Sequence, residues 1–222
     1  MARTRKDGSM TVSAPERQRD AERTRADILE VATEEFADNG YSGARVDEIA
    51  ARTRTTKRMI YYYFGGKEQL YLAVLERAYA EIRAAERTVD VDHLDPVAAI
   101  RRLAEVTFDH HEAHPAFIKL VGVENAQQAQ HMSHVARLVD LNSSAVDLLS
   151  QALGRGQRDG TFRGDVDALD VHMMISAFCF FRVANRHTFG ALFDRDLLDP
   201  ATRERYRTML GEMVVGYLRQ ST

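Results

Sequence analysis

Val46-Asp47-Glu48-Ile49-Ala50-Ala51-Arg52-Thr53-Arg54-Thr55-Thr56-Lys57-Arg58-Met59-Ile60-Tyr61-Tyr62-Tyr63-Phe64-Gly65-Gly66-Lys67 carries two short helical patterns with a polar break between them. The first pattern fits a helix over Arg45 to Ala51. The second fits Lys57 to Tyr63, with Thr56 as its N-cap and Gly65-Gly66 as its terminator. Two short helices joined by a tight turn can set the second helix into the major groove of DNA. Thr55, Thr56, Lys57 and Arg58 gather at the N-terminal end of that second helix. Hydroxyls, cations and the free N–H groups of a helix N-terminus all suit phosphate oxygens. Arg58 has the fork that reads a guanine edge. Tyr61, Tyr62 and Tyr63 point about 100° apart in a helix, so the three cannot share one buried face.

The charge distribution supports a local polyanion contact. The 222-residue chain has a formal net charge of −3, which argues against general coating of nucleic acid. From Arg45 to Lys67, however, Arg45, Arg52, Arg54, Lys57, Arg58 and Lys67 face only Asp47 and Glu48. The rest of the chain after Lys67 is acidic on balance. A short positive segment on an otherwise acidic protein is either a solvated helix face or the footprint of a localised nucleic-acid contact.

Outside this unit the chain reads as all-α, with helical periodicity almost everywhere and no alternating β-branched series. Residues 1–18 are polar and aperiodic and are expected to form a flexible arm. A helix is expected from Arg19 to Asp38, closed by Asn39-Gly40. Another begins near Lys67. Asp95-Pro96, Pro115 and Asp199-Pro200 each open a helix, a long helix fits His131 to Leu153, and Asp165 opens a very apolar one. The glycine-rich run 154–160 reads as a loop, which makes nine helices in all. The expected division is arm 1–18, DNA-binding domain 19–66 and a larger helical domain 67–222.

The segments Asn39-Gly40-Tyr41, Val46-Asp47-Glu48-Ile49-Ala50, Thr56-Lys57 and Ile60-Tyr61-Tyr62-Tyr63-Phe64-Gly65-Gly66-Lys67-Glu68-Gln69-Leu70 resemble, in order and spacing, the N-terminal domain of the TetR family of regulators. The resemblance implies that Thr56, Lys57, Tyr61, Tyr62 and Lys67 hold the phosphate backbone, while Thr55, Arg58 and Met59 face base edges. Arg45 and Arg54 complete the expected DNA-contacting set. Three positions depart from the family pattern, in two places. Ala44 stands where a hydroxyl usually caps the second helix. In the turn, Arg54 replaces a glycine and Thr55 a small apolar residue. A non-glycine residue in the left-handed conformation costs roughly 1 kcal/mol, and Arg54 gains a possible phosphate contact in exchange.

The same resemblance implies dimerisation through the last two helices and a ligand cavity in the C-terminal domain. The helix containing Met173, Met174, Ile175, Phe178, Phe180 and Phe181 is apolar nearly all round, so its outer face needs a cover, for which a partner chain is one candidate and the protein's own core the other. Phe180, Tyr206, Met209, Leu210, Met213 and Tyr217 are the expected interface residues. Polar residues on apolar stripes are candidates for the ligand site, because each needs a partner when buried. His111, Glu124, Arg182, His172 and Asn185 are selected on this ground, and Asn125 joins the expected site, with Phe108, Phe117, Val121 and Phe178 as apolar lining. A buried Arg–Glu pair would be either a structural ion pair or an anchor for an amphipathic or anionic effector.

Other function classes find little support. The sequence has no glycine-rich phosphate loop and no Gly-x-Ser-x-Gly elbow, so it is not expected to be an enzyme. No cofactor is expected. His110 with His114, and His131 with His134, have metal-ligand spacing but no assured third ligand, so no metal is expected. Cys179 is the single cysteine. No run suits a membrane span and no signal peptide is evident, so the expected address is the cytoplasm. The expected partners are a double-stranded DNA operator, a small-molecule effector and a second copy of the chain. The expected function is that of a ligand-responsive repressor on a palindromic operator.

Overall fold

The structure, a computed structural model, describes residues 14–132 and 136–219; His134 and most of the expected N-terminal arm lie outside the described residues. Among these the chain forms ten helices: α1 (Ala14–Gly43), α2 (Val46–Arg52), α3 (Lys57–Phe64), α4 (Lys67–Glu86), α5 (Pro96–Ala113), α6 (Pro115–Ala126), α7 (Ala136–Arg158), α8 (Ala168–Ala184), α9 (Arg186–Phe193) and α10 (Pro200–Leu218). Their only β pairing is an isolated bridge between Phe162 and Arg219.

Local chemistry sets most of the boundaries. Gly40 breaks α1 with φ 66°, a left-handed conformation that the expected Asn39-Gly40 terminator provides. The Thr56 side chain accepts a hydrogen bond from the Met59 N–H at 3.2 Å and caps α3. Asp95 caps α5 through the Ala98 N–H at 3.0 Å, and Asp199 caps α10 through the Ala201 N–H at 2.9 Å.

Four boundaries differ from the sequence reading. First, α1 begins at Ala14, so the polar stretch before Arg19 is already helical. Second, α7 begins at Ala136, leaving His131 and Met132 outside it, and runs on to Arg158, through much of the expected 154–160 loop. Gly156 is there for space: a Cβ at this position would lie 2.1 Å from the Phe162 ring. Third, α8 begins at Ala168, capped by Asp167 through the Asp170 N–H, while Asp165 pairs with Arg163 instead. Fourth, α9 is a separate helix, which raises the count from nine to ten.

Two cores form. One joins α1, α2 and α3 to α4 and to Phe117, Ile118 and Leu120 of α6. The other is built from α5, α7, α8 and α10. The first core continues past residue 66, because Leu70, Tyr71, Val74, Leu75, Ala78 and Ile82 of α4 are all part of it. Helix α4 is thus both the last wall of the N-terminal unit and a wall of the larger domain.

Candidate nucleic-acid interface and effector domain

Helix α3 is anchored through Ile60 and Phe64, which are buried, and through the partly buried Tyr63. The other side of the helix is open. Thr56, Lys57, Arg58 and Met59 are exposed, as are Tyr61 and Tyr62. Tyr62 is 79% exposed, an unusual position for a large ring, and among the described residues the only ring it meets is Tyr63, edge-on at 5.5 Å. Arg45 and Arg54 are exposed beside this row, and Thr55 is half-buried in the turn. Lys67 is half-buried; its ammonium lies 3.4 Å from the Ser42 carbonyl and 4.9 Å from the centre of the Tyr41 ring. Lys57 reaches Asp47 of α2 at 3.3 Å, an exposed ion pair that a phosphate can displace at small cost.

The two departures from the family pattern have local answers. Arg54 adopts φ 52°, so the turn keeps its left-handed residue without glycine. Nothing in the Arg45 side chain caps α2. Glu35, buried on α1, holds the N-cap residue from outside: its Oε1 accepts the Arg45 backbone N–H at 3.0 Å. The start of α2 is therefore held by α1 rather than by its own cap.

The expected interface residues divide between two faces. Tyr206 and Leu210 are buried within the protomer's own core, and Met209 packs partly against it. Phe180 packs against the other core. Tyr206 and Leu210 belong to the stripe Tyr206–Leu210–Val214–Leu218 that turns inward on α10, while Met209 and Phe180 are half-buried. Met213 and Tyr217 stay exposed, alongside Leu169, Met173 and Phe181 at helical spacing on α8. That row of apolar side chains is the uncovered face of the apolar helix.

The expected ligand residues also separate. Glu124 is 1% exposed and fully engaged. It accepts from the Tyr71 hydroxyl at 2.8 Å and from the His131 and Met132 N–H groups at 3.3 Å, and the His131 ring nitrogen lies 3.0 Å away. Burial, and then this hydrogen bond, push the Tyr71 phenol well above its ordinary range. Arg182 does not meet Glu124. It bonds Glu112 and the Leu197 carbonyl, each at 3.0 Å, and stacks 3.9 Å over Phe108. Arg203 and Arg207 extend this network to Asp109 and Glu105, tying α10 to α5. Glu124, Arg182 and Phe108 thus each have partners within the chain itself. Asn125 is exposed on α6, which removes it from the interior. Val121 lies partly buried against the N-terminal core and Phe178 against the other.

His111, His172 and Phe117 do come together, with partners that the sequence reading missed. Arg83 and Glu86 of α4 are buried here as an ion pair at 2.8 Å, and the Thr107 hydroxyl lies 3.4 Å from Glu86. The His110 ring stacks on His114 at 4.1 Å, and His110 and His111 both pack on Phe117. Phe117 in turn meets Tyr79 edge-on at 5.2 Å. Burial, and then the neighbouring imidazoles, bring His110 down to about 4 and His111 down to about 3. His172 is lowered by burial and then by Arg83. Arg83 is held below and Glu86 above its ordinary range, since burial penalises both charges more than they repay each other. Arg83 could have been found in the sequence: Tyr79, Arg83 and Glu86 follow one another at i, i+4 and i+7 beside the apolar Ile82.

Among the described residues no group of three or more His, Cys, Asp or Glu has metal-binding geometry, and no helix is long and apolar enough to cross a membrane. Cys179 is buried, and burial pushes its thiol up to about 12.

Comparison with known proteins adds independent findings. Residues 28–74 match the bacterial regulatory proteins of the tetR family, and residues 96–214 match a tetracyclin repressor-like C-terminal domain. The HTH-type transcriptional repressor NicS of Pseudomonas putida is 34% identical over 204 residues, covering 92% of this chain and 96% of its own. The HTH-type transcriptional repressor SCO4008 of Streptomyces coelicolor is 33% identical over 173 residues, covering 74% and 81%. Among solved structures, SCO4942 of Streptomyces coelicolor superposes with a TM-score of 0.65 at 29% identity, over 86% of this chain and 97% of that one. A tetR-family regulatory protein from Rhodococcus RHA1 superposes with a TM-score of 0.73 at 16% identity, over 90% and 98%, which speaks to fold alone.

Proposed function

The chain belongs to the TetR family of helix-turn-helix transcriptional regulators, DNA-binding proteins that are not enzymes, and we propose that it acts as a homodimeric repressor released from a palindromic operator by a small-molecule effector. The observation that carries this reading is the open side of α3: Thr56, Lys57, Arg58, Met59, Tyr61 and Tyr62 are exposed on a helix whose opposite side is locked into the core. Thr56, Lys57, Tyr61, Tyr62 and Lys67 hold phosphates, with Arg45 and Arg54 at the edge. Thr55, Arg58 and Met59 face the bases.

The apolar row Leu169, Met173, Phe181, Met213 and Tyr217 serves as the dimer face. Pairing there supplies two recognition helices, each reading one half-site about 34 Å from the other. The operator places the protein in the cytoplasm. The effector occupies the larger domain and shifts α4, whose first turn carries Lys67. It must favour the DNA-incompetent state, with a coupling of roughly 1–3 kcal/mol.

The test is selection of random duplex DNA at a fixed salt concentration, followed by titration of the selected sequence against variants. A palindromic consensus is expected. Lys67→Ala should weaken binding on all sequences and reduce the salt slope by about 1. Arg58→Ala should relax preference at one base position. Recovery of no consensus from the dimer, with or without cell extract, would refute the operator reading.

A further inference from the structure

Arg25 lies on α1, well before the basic segment that begins at Arg45. Its guanidinium sits 5.0 Å from the centre of the Phe64 ring, the last residue of α3. The side chain is exposed, and among the described residues no carboxylate pairs with it. Glu22, one turn earlier on α1, is bonded to Gln18 at 3.2 Å, and Asp20 pairs with Arg23 at 3.2 Å. Nearby cations do find carboxylates: Arg52 meets Glu34, and Arg77 meets Glu81. Arg25 shares its unpaired state with Arg45, Arg54 and Arg58, the exposed cations of the DNA face.

A ring engages the charge of a guanidinium but offers it no oxygen, so the N–H donors of Arg25 stay available. The same contact fixes them at the end of the reading helix. Tyr61, three residues before Phe64, is its neighbour on the helix surface and is exposed. We propose that Arg25 grips a phosphate of the operator backbone together with Tyr61, so that the DNA-contacting surface extends beyond the helix-turn-helix onto α1. This rests on the reading of α3 as the helix that enters the groove. An arginine fork takes two oxygens of one phosphate, and a phenol hydroxyl supplies one donor more. The contact carries no base information, so it adds affinity on every sequence and nothing to the consensus. Helix α1 also packs against α6, which places this grip on a helix that the larger domain holds.

The competing role for Arg25 is to cover Phe64 with its methylene stem. Arg25→Met keeps an apolar stem there and removes the charge, so it separates the two. The experiment titrates the full-length protein against duplex DNA over about 50–200 mM salt. Arg25→Met is expected to weaken binding about threefold to tenfold at the lower salt and to reduce the salt slope by about 1. The selected consensus and the urea midpoint should not move. Arg25→Lys should restore the slope but only part of the affinity. In a double-mutant cycle with Tyr61→Phe, the two losses should be less than additive, since both act at one phosphate. An unchanged slope in Arg25→Met would leave Arg25 as a cover for Phe64 and overturn the proposal. Strictly additive losses would overturn the shared phosphate.

Lys67→Ala in the same titration separates the two levels of inference. A slope lowered by Lys67→Ala but not by Arg25→Met would remove only the contact on α1. A slope lowered by neither would remove the DNA face itself. Because the contact reads no bases, a duplex of random sequence gives the same change in slope, and the result does not wait on a consensus.

Discussion

Replacing Glu124 by leucine should expose how the two halves of the molecule are fastened. The carboxylate is 1% exposed and collects the Tyr71 hydroxyl of α4 and the backbone N–H groups of His131 and Met132, besides its contact with the His131 ring. Leucine keeps the volume but accepts nothing. The buried Tyr71 hydroxyl then loses its partner at about 1–3 kcal/mol, and the part-buried His131 and Met132 N–H groups lose theirs at a smaller cost. Leucine returns some apolar burial, so the net loss should be about 3 kcal/mol. The turn that Glu124 pins contains Gln128 and Ala129 at φ 57° and 56°, strained conformations that persist only while held.

The assay is urea denaturation at a fixed protomer concentration, comparing midpoints at constant slope. Operator binding should weaken as well, because the His131 ring packs tilted against Tyr41 at 4.2 Å, and the Tyr41 ring lies under the Lys67 ammonium. Glu124→Gln, which keeps one acceptor oxygen, should fall between wild type and leucine. A loss below about 1 kcal/mol for leucine would refute this account of Glu124 as a fastener.

Acid should destabilise the fold through the buried imidazoles. In the folded chain His110 titrates at about 4 and His111 at about 3, while unfolded histidines titrate near 6.5. Between those values the unfolded chain binds more protons, so stability is full above about 6.5 and falls as pH drops through the window, by up to about 1.4 kcal/mol per unit for each ring. Urea midpoints that stay level across that window would contradict the burial of these rings. Met173→Glu, at a position 62% exposed on the apolar face, should give a folded monomer in sedimentation and abolish tight operator binding; an intact dimer would move the interface elsewhere. Arg54→Gly should relieve the φ 52° strain and raise stability by about 1 kcal/mol in the same urea assay, while costing affinity for DNA if Arg54 touches phosphate.

What the sequence disclosed follows the range of the interactions involved. The Thr56 cap, the Gly40 break and the Gly65-Gly66 stop are local, so the reading helix was visible from a few neighbouring residues. The glycines at 154–160 misled because Gly156 serves a contact with Phe162 rather than a turn, and a close approach leaves the same letter in the sequence as a loop. On α10 both faces are apolar, so periodicity could not say that Tyr206 and Leu210 turn inward while Met213 and Tyr217 turn out. Glu124 and Arg182 were rightly seen as buried, yet their partners Tyr71 and Glu112 lie 53 and 70 residues away, beyond any spacing rule. Arg83 was passed over because arginine on a connecting helix usually signals solvent.

The shared N-terminal core bears on how such regulators can be recombined. Phe117, Ile118 and Leu120 of α6 close the pocket into which α1 and α4 pack, so a cut at residue 66 would strip the reading head of a wall it does not itself encode. Grafting residues 14–66 onto a foreign sensor would transfer the side chains that touch DNA without the surface that keeps them in place. The unit of inheritance for operator choice is therefore larger than the segment that reads the operator. A working chimera would carry α4 with it, and would need a host helix in the place of α6 that presents the same apolar triplet.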